Sequence, residues 1–264
     1  MNRIVVGCLS LYMSCQSSSM VETPAKIEVL VDSITAINTP SFSKEDSLII
    51  NYLSRKMMDL ATLKEKMKAG EPVKIVCYGN SITYGFQVNA RGQVDKPYPQ
   101  ELERMLRKQY ANEGIVVVNE GHNGWRSDQA AQQVGYTVIP HNPHLAIVMF
   151  GINDAYSKFT LAFYKRQITY LVKYLKKNKI SVLLLSPTPI STPQNTLVGE
   201  YSEVLSVVAE EQAVAFFDLH QQMQKRIEGS EIPIEEILPD EVHLGAAYYK
   251  WIAEAVTNYW RRIK

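Results

Sequence analysis

Ser81, Asp240 and His243 are the residues of this chain whose types could together carry nucleophilic chemistry, and Gly124 and Asn153 are those that could stabilise the resulting charge. A serine hydroxyl needs a base to take its proton, an imidazole base needs a carboxylate to fix its tautomer, and a developing oxyanion needs donors aimed at it. Asp240 and His243 stand three residues apart in one turn, as orienter and base. The backbone N–H groups of Ser81 and Gly124 and the side-chain amide of Asn153 are the donors, with glycine at 124 so that the backbone can approach a substrate. Together these are the parts of an acyl-transfer site. Singly, each has a plainer reading. A serine at a strand-to-helix junction is most often an N-cap, Asp240 and His243 in a polar loop are ordinarily solvated, and Asn153-Asp154 is ordinarily a turn or cap.

Whether these stretches meet depends on the elements that carry them. Val73 to Tyr78 is a β-branched apolar run, entered from Pro72 and broken by Gly79, which predicts a strand buried on both faces with Ser81 just beyond its carboxyl end. Helical spacing precedes it, from the capping-box-like Ser43-Lys44-Glu45-Asp46 through Leu48, Leu53, Leu60, Leu63 and Met67 to Gly70. After Ser81, a polar insertion from Gln87 to Lys96 leads into an amphipathic helix from Pro97 to Tyr110. Ile115 to Val118 predicts a second strand ending at Asn119, followed by the glycine-rich turn Gly121-His122-Asn123-Gly124-Trp125-Arg126 and a helix from Ser127 to near Pro140. Leu145 to Phe150 is a third strand, closed by Gly151-Ile152-Asn153-Asp154, and Leu161 to Leu175 marks the next helix. Ile180 to Leu185 is a fourth strand. A helix from about Val198 to Gln212, a short strand Val214 to Phe217, an irregular segment through Pro239 and a helix from Gly245 to Arg262 follow. Such alternation implies a parallel sheet with helices on both faces, and in that architecture the carboxyl ends of the strands form one rim.

The net charge of +1 argues against a nucleic-acid binder, which needs a strongly basic face. Residues 1–15 read as a leader: Met1-Asn2-Arg3, then the apolar Ile4 to Met13, too short to span a bilayer. Cys15 after Ser14 is similar to the acylation site of a bacterial lipoprotein, with Tyr12 where such signals prefer leucine; Val5-Val6-Gly7-Cys8 fits the local pattern better but leaves almost no apolar run before it, and the alternative to lipidation is simple cleavage and a soluble periplasmic or secreted protein. Either outcome places the chain in the cell envelope or beyond, with membrane attachment only through an N-terminal lipid. Residues 16–42, polar and containing Pro24 and Pro40, read as a tether, and 43–264 as one folded domain. Cys77, inside the first strand, is the one cysteine beyond the leader and is read as a small core residue. No Cys/His spacing fits zinc, and neither a metal nor a cofactor is expected. His122, His141, His144 and His220 lack the setting of His243; His122 is read as packing its loop, with an approach to the site as the alternative.

The motifs resemble those of the SGNH, or GDSL-type, hydrolase family. Its four blocks are matched in order by Gly79-Asn80-Ser81, by Asn119 through Gly124, by Gly151-Ile152-Asn153-Asp154 and by Asp240-Glu241-Val242-His243. The resemblance implies an α/β fold, a three-layer α/β/α sandwich with a flavodoxin-like central parallel sheet. It also implies serine esterase activity, with Ser81, Asp240 and His243 as the triad and Ser81, Gly124 and Asn153 as the oxyanion hole. One departure stands out. Asn80 replaces the aspartate of the usual Gly-Asp-Ser, which alters local hydrogen bonding without removing a reacting group.

Aromatic residues accompany the catalytic members: Tyr84 and Phe86 near Ser81, Trp125 beside Gly124, and Tyr156 after Asn153. Flat rings on a pocket rim suit sugar faces, so Trp125, Tyr84 and Tyr156 are candidate substrate-binding residues for a small acyl ester, acetyl above all, on a carbohydrate. Internal packing is the plainer role for such rings. A lipase, lysophospholipase or thioesterase is the alternative enzyme, and a non-catalytic glycan-binding protein is the alternative of another class. The complete triad argues against the last.

Overall fold

Strands β1 (Val73–Gly79), β2 (Ile115–Gly121), β3 (Leu145–Met149), β4 (Ser181–Leu185) and β5 (Ala215–Phe217) form one parallel sheet in the order β2-β1-β3-β4-β5. The computed structural model describes residues 57–89 and 95–263. The expected leader, the lipidation at Cys15, the tether and the part of the first helix before Met57 lie outside the described residues. Among those residues no helix is long and apolar enough to cross a membrane.

The central strands are buried because both faces are covered: every residue of β3 and β4 is buried, as is all of β1 except Lys74. Their apolar, β-branched composition is what a doubly covered parallel strand requires. Helices α1 (Leu60–Lys68), α2 (Ser81–Tyr84), α3 (Phe86–Asn89) and α4 (Tyr98–Tyr110) precede β2. Then come α5 (Ser127–Thr137), α6 (Ile152–Tyr156), α7 (Leu161–Lys177) and α8 (Asn195–Gln212). Finally α9 (Leu219–Glu228), α10 (Ile234–Ile237) and α11 (Tyr249–Arg262) close the chain. Helices α4 and α11 pack together, as do α5, α7 and α8, which gives the three-layer sandwich.

The strand order is the flavodoxin-like one, whose ligand crevice opens where the order reverses, between β1 and β3. Gly79 at the end of β1 is in register with Gly121 of β2 and Met149 of β3. The three strands therefore end level, and the segments bearing Ser81, Gly124 and Asn153 leave the same edge of adjacent strands.

Several elements differ from expectation. Helix α1 starts at Leu60 because the Asp59 side chain accepts the Thr62 N–H at 2.7 Å and caps it there. Strand β2 runs on through the polar Asn119 and Glu120, since an edge strand needs a pairing partner, supplied by β1, more than apolar side chains. Helix α8 begins at Asn195, ahead of its first buried apolar residue, Val198. The segment expected to be irregular contains α9, capped by Asp218 and burying only Leu219 and Met223, a stripe too narrow to stand out among polar residues. The expected polar insertion begins with α3, where Gln87 and Val88 are buried. A short 3-10 turn, Ala246–Tyr248, precedes α11.

Candidate active site

The chain leaves β1 at Gly79, and Asn80 caps α2: its side-chain oxygen accepts the Ile82 N–H at 3.0 Å. Asparagine at the position usual for aspartate thus works as an ordinary N-cap. Ser81, the next residue, is buried, and as the first residue of α2 its N–H has no intrahelical acceptor. Its Oγ lies 2.8 Å from Nε2 of His243. Nδ1 of the same imidazole lies 2.9 Å from Asp240 Oδ2. A carboxylate accepts from Nδ1–H, which leaves the Nε2 lone pair facing the serine hydroxyl.

Asp240 is held from all sides. Its Oδ1 accepts the backbone N–H groups of His243 at 2.7 Å and Val242 at 3.2 Å, closing the turn that brings the two side chains together. Its Oδ2 accepts the Nε2–H of Gln87 at 3.0 Å as well as the imidazole N–H. Partial burial works to raise the Asp240 carboxyl, but the hydrogen bonds and charge of His243, with the Val242 N–H, outweigh it and hold the group below the usual carboxylate range. It stays ionised to steady the imidazole.

Gly124 and Asn153 follow β2 and β3, the two strands that neighbour β1. Gly124 has φ +77°, and a Cβ there would meet nothing within 4 Å, so glycine is required by the left-handed backbone and not by crowding in the protein. Crowding does act at Gly121, where a Cβ would stand 2.0 Å from the Tyr84 N; the backbone of α2 lies directly on the end of β2. Asn153 donates one of its two amide hydrogens to the Trp125 carbonyl at 2.9 Å. Asp154 is fully buried and accepts from both the N–H and the hydroxyl of Ser127, tying the start of α6 to the start of α5. Burial pushes its carboxyl up to about 6, against the pull of the Ser127 hydrogen bonds.

The expected aromatic wall is distributed. Trp125 is half-buried, stacked on the His122 imidazole at 3.9 Å between centroids and 16° between planes, and meets the Tyr78 ring edge-on. Tyr84 is half-buried, and what fixes it is its backbone against Gly121. Tyr156 is exposed, with its hydroxyl 3.2 Å from Thr192 Oγ1 in the loop after β4. Phe86 packs its ring on the His243 imidazole at 4.5 Å, tilted by 32°.

Sequence reasoning missed two groups. Gln87 was absorbed into a polar insertion, and no local pattern marks a glutamine as buried. Glu120 accepts from His122 at 3.1 Å and from His141 at 2.5 Å, and so steadies the ring on which Trp125 lies. Cys77 is buried with its thiol pushed up to about 12 by that burial, as suits a core residue. Among the described residues no cluster of three or more His, Cys, Asp or Glu side chains is arranged to hold a metal ion.

Comparison with known proteins extends this geometry. Residues 77–251 match the model of the GDSL-like lipase/acylhydrolase family. An acetylxylan esterase of Geobacillus stearothermophilus is 26% identical over 171 residues, 58% of this chain and 78% of that protein. The solved structure of an arginine-to-alanine mutant of an acetyl-xylooligosaccharide esterase from Geobacillus aligns with a TM-score of 0.63 at 21% identity, covering 73% of this chain and 95% of that one. An alpha/beta hydrolase enzyme from the metagenome of Lake Arreo, Spain, aligns equally well, with a TM-score of 0.63 at 19% identity, covering 74% and 99%. Further matching structures are catalytic mutants of the Geobacillus stearothermophilus acetylxylan esterase, in which a serine, an aspartate or a histidine is replaced by alanine. At these identities the structural likenesses establish the shared fold.

Proposed function

Because the chain belongs to the GDSL-like lipase/acylhydrolase family and is thus a carboxylic ester hydrolase, we propose that it is a serine esterase that removes acetyl groups from a carbohydrate. The reaction runs through Ser81, His243 and Asp240. The observation that carries this reading is the continuous chain of hydrogen bonds from Ser81 Oγ through the imidazole to Asp240.

In the first step His243 Nε2 takes the hydroxyl proton as Ser81 Oγ bonds to the acyl carbon, and the carbonyl π electrons move to oxygen. That oxyanion is received by the N–H groups of Ser81 and Gly124 and the second amide hydrogen of Asn153. Collapse breaks the bond to the sugar oxygen, which leaves with the proton returned from the imidazolium. Water, deprotonated by the same nitrogen, then releases acetate and restores Ser81. Asp240 remains ionised throughout and stabilises the imidazolium.

Support for acetyl on a sugar comes from the acetylxylan esterase relative and from the aromatic residues around the site. A panel of p-nitrophenyl esters of rising chain length, run beside acetylated xylooligosaccharides, tests it. Hydrolysis confined to the shortest ester, with acetate released from the oligosaccharide, is the expected result. Preference for long acyl chains would instead make the enzyme a lipase or thioesterase.

We propose further that the enzyme works in the cell envelope, held by a lipid on Cys15. Support comes from the charged, then apolar, leader and the small residue before that cysteine. Cys15→Ser should abolish labelling by radioactive palmitate; labelling that persists would remove Cys15 from the proposal.

A further inference from the structure

Asp240 Oδ2 receives two donors, and only one of them belongs to the catalytic pair. The second is Gln87, a residue 2% exposed, whose Nε2 stands 3.0 Å away. A buried glutamine amide is costly unless its hydrogen bonds are made, and this one is spent on a carboxylate, where a charge-assisted bond is strong. Phe86, its neighbour in α3, lays its ring on the imidazole itself. One short helix thus grips the acid with one side chain and covers the base with the next. Beneath it, α11 contributes Tyr249, fully buried. Burial pushes the pKa of that phenol well above its ordinary range, against the pull of the Gln87 and Phe86 backbone and with the Asp240 charge adding to the rise, so it stays neutral.

We propose that Gln87 is a positioning residue of the esterase reaction: its amide pins Asp240 Oδ2 in the plane of the imidazole, so that His243 keeps Nε2 on Ser81. The inference rests on the esterase reading given above. An unpinned carboxylate would rotate about its side-chain torsions and release the Nδ1–H, and the imidazole would then leave Ser81 for part of the time. The backbone donors to Oδ1 fix one oxygen of this planar group, and Gln87 is the side-chain donor that holds the other beside the imidazole N–H. Gln87 touches neither Ser81 nor the acyl group, and it acts on the reaction only through Asp240.

The test uses two variants of the whole protein. Gln87→Met keeps the length and much of the volume while deleting the donor, and Gln87→Glu keeps the shape but faces the carboxylate with another. Two readouts are taken: steady-state kinetics on p-nitrophenyl acetate, and the downfield proton resonance of His243 Nδ1–H, assigned by its absence in His243→Gln. Gln87→Met should lower kcat roughly tenfold, the scale of one hydrogen bond to a charged group, with KM changed less than about twofold. In the same variant the resonance should move or broaden into solvent exchange. Gln87→Glu should lose more on both counts and serves as the test by itself should the methionine variant not fold. Wild-type kcat, or an unmoved resonance, in either folded variant would overturn the proposal. A wild-type protein without ester hydrolysis would instead defeat the esterase reading, while the resonance would still report whether Gln87 holds the pair.

Discussion

Asn153 Nδ2 donates to the backbone carbonyl of Trp125 at 2.9 Å. This bond joins α6, which follows β3, to the loop after β2, and so couples two of the three proposed oxyanion donors: the Asn153 amide and the N–H of Gly124, one residue before Trp125. Further support lies behind it. Asp154 holds the Ser127 N–H at 3.0 Å, and Glu120 steadies the imidazole of His122 under the indole. Preorganised donors of this kind cost no reorganisation when charge develops.

Ser81→Ala should leave a folded protein with kcat reduced on the order of a millionfold, the usual cost of losing a triad nucleophile. Circular dichroism and steady-state hydrolysis of p-nitrophenyl acetate check both halves. Turnover near that of the wild type would remove Ser81 from the mechanism.

For Asn153→Ala the expected loss is roughly a hundred- to a thousandfold in kcat with little change in KM, because the amide donates mainly to charge present in the transition state. Kinetics at saturating and subsaturating ester separate the two constants. A raised KM at constant kcat would make Asn153 a residue of ground-state binding.

Trp125→Ala deletes the indole but keeps the backbone carbonyl that Asn153 needs, so the oxyanion loop retains its tie. If the ring stacks on a sugar face, kcat/KM should fall by about 0.5 to 1.5 kcal/mol on acetylated oligosaccharides and stay level on p-nitrophenyl acetate. Equal losses on the two substrates would show that the ring serves only to pack against His122 and Tyr78.

The buried Asp154 predicts a pH dependence of stability. Its carboxyl is pushed up to about 6 from an ordinary 3.8, with burial as the main cause and Asp128 adding to it against the Ser127 hydrogen bonds. The native state therefore holds this proton more tightly than the unfolded chain. Its stabilisation is complete below about pH 3.8 and is lost as the pH rises through about 6, a change of at most about 3 kcal/mol. Urea midpoints for wild type and Asp154→Asn between those values should diverge, with only the wild type carrying this component. Parallel curves would show that Asp154 is ionised in the folded protein across the range.

Much of this molecule is legible in short stretches. The β-branched run from Val73, the glycines that end it, and the apolar runs at Leu145 and Ile180 announce a doubly covered parallel sheet, because burial on both faces demands that composition locally. Ser81, Gly124, Asn153, Asp240 and His243 could be singled out because each sits in a short motif with its own spacing. Element ends were less legible where polar residues continue an element, as at Asn119 and Glu120 in β2, or where the buried stripe is narrow, as at Leu219 and Met223 in α9. The positive φ that its turn imposes at Gly124 adds a second reason for glycine there, one that no local spacing shows.

The amino-acid sequence by itself determined the strands of the parallel sheet, their order and the candidate reacting groups, since periodicity and motif spacing act over a few residues. Only the tertiary structure decided the company those groups keep. Gln87 meets Asp240 across 153 positions of chain, and Asn153 meets Trp125 across 28. Such partners are chosen by the level ending of neighbouring strands and the close packing of loops above them. A hydrogen bond depends on distance and direction in space, and neither is a property of residue order alone.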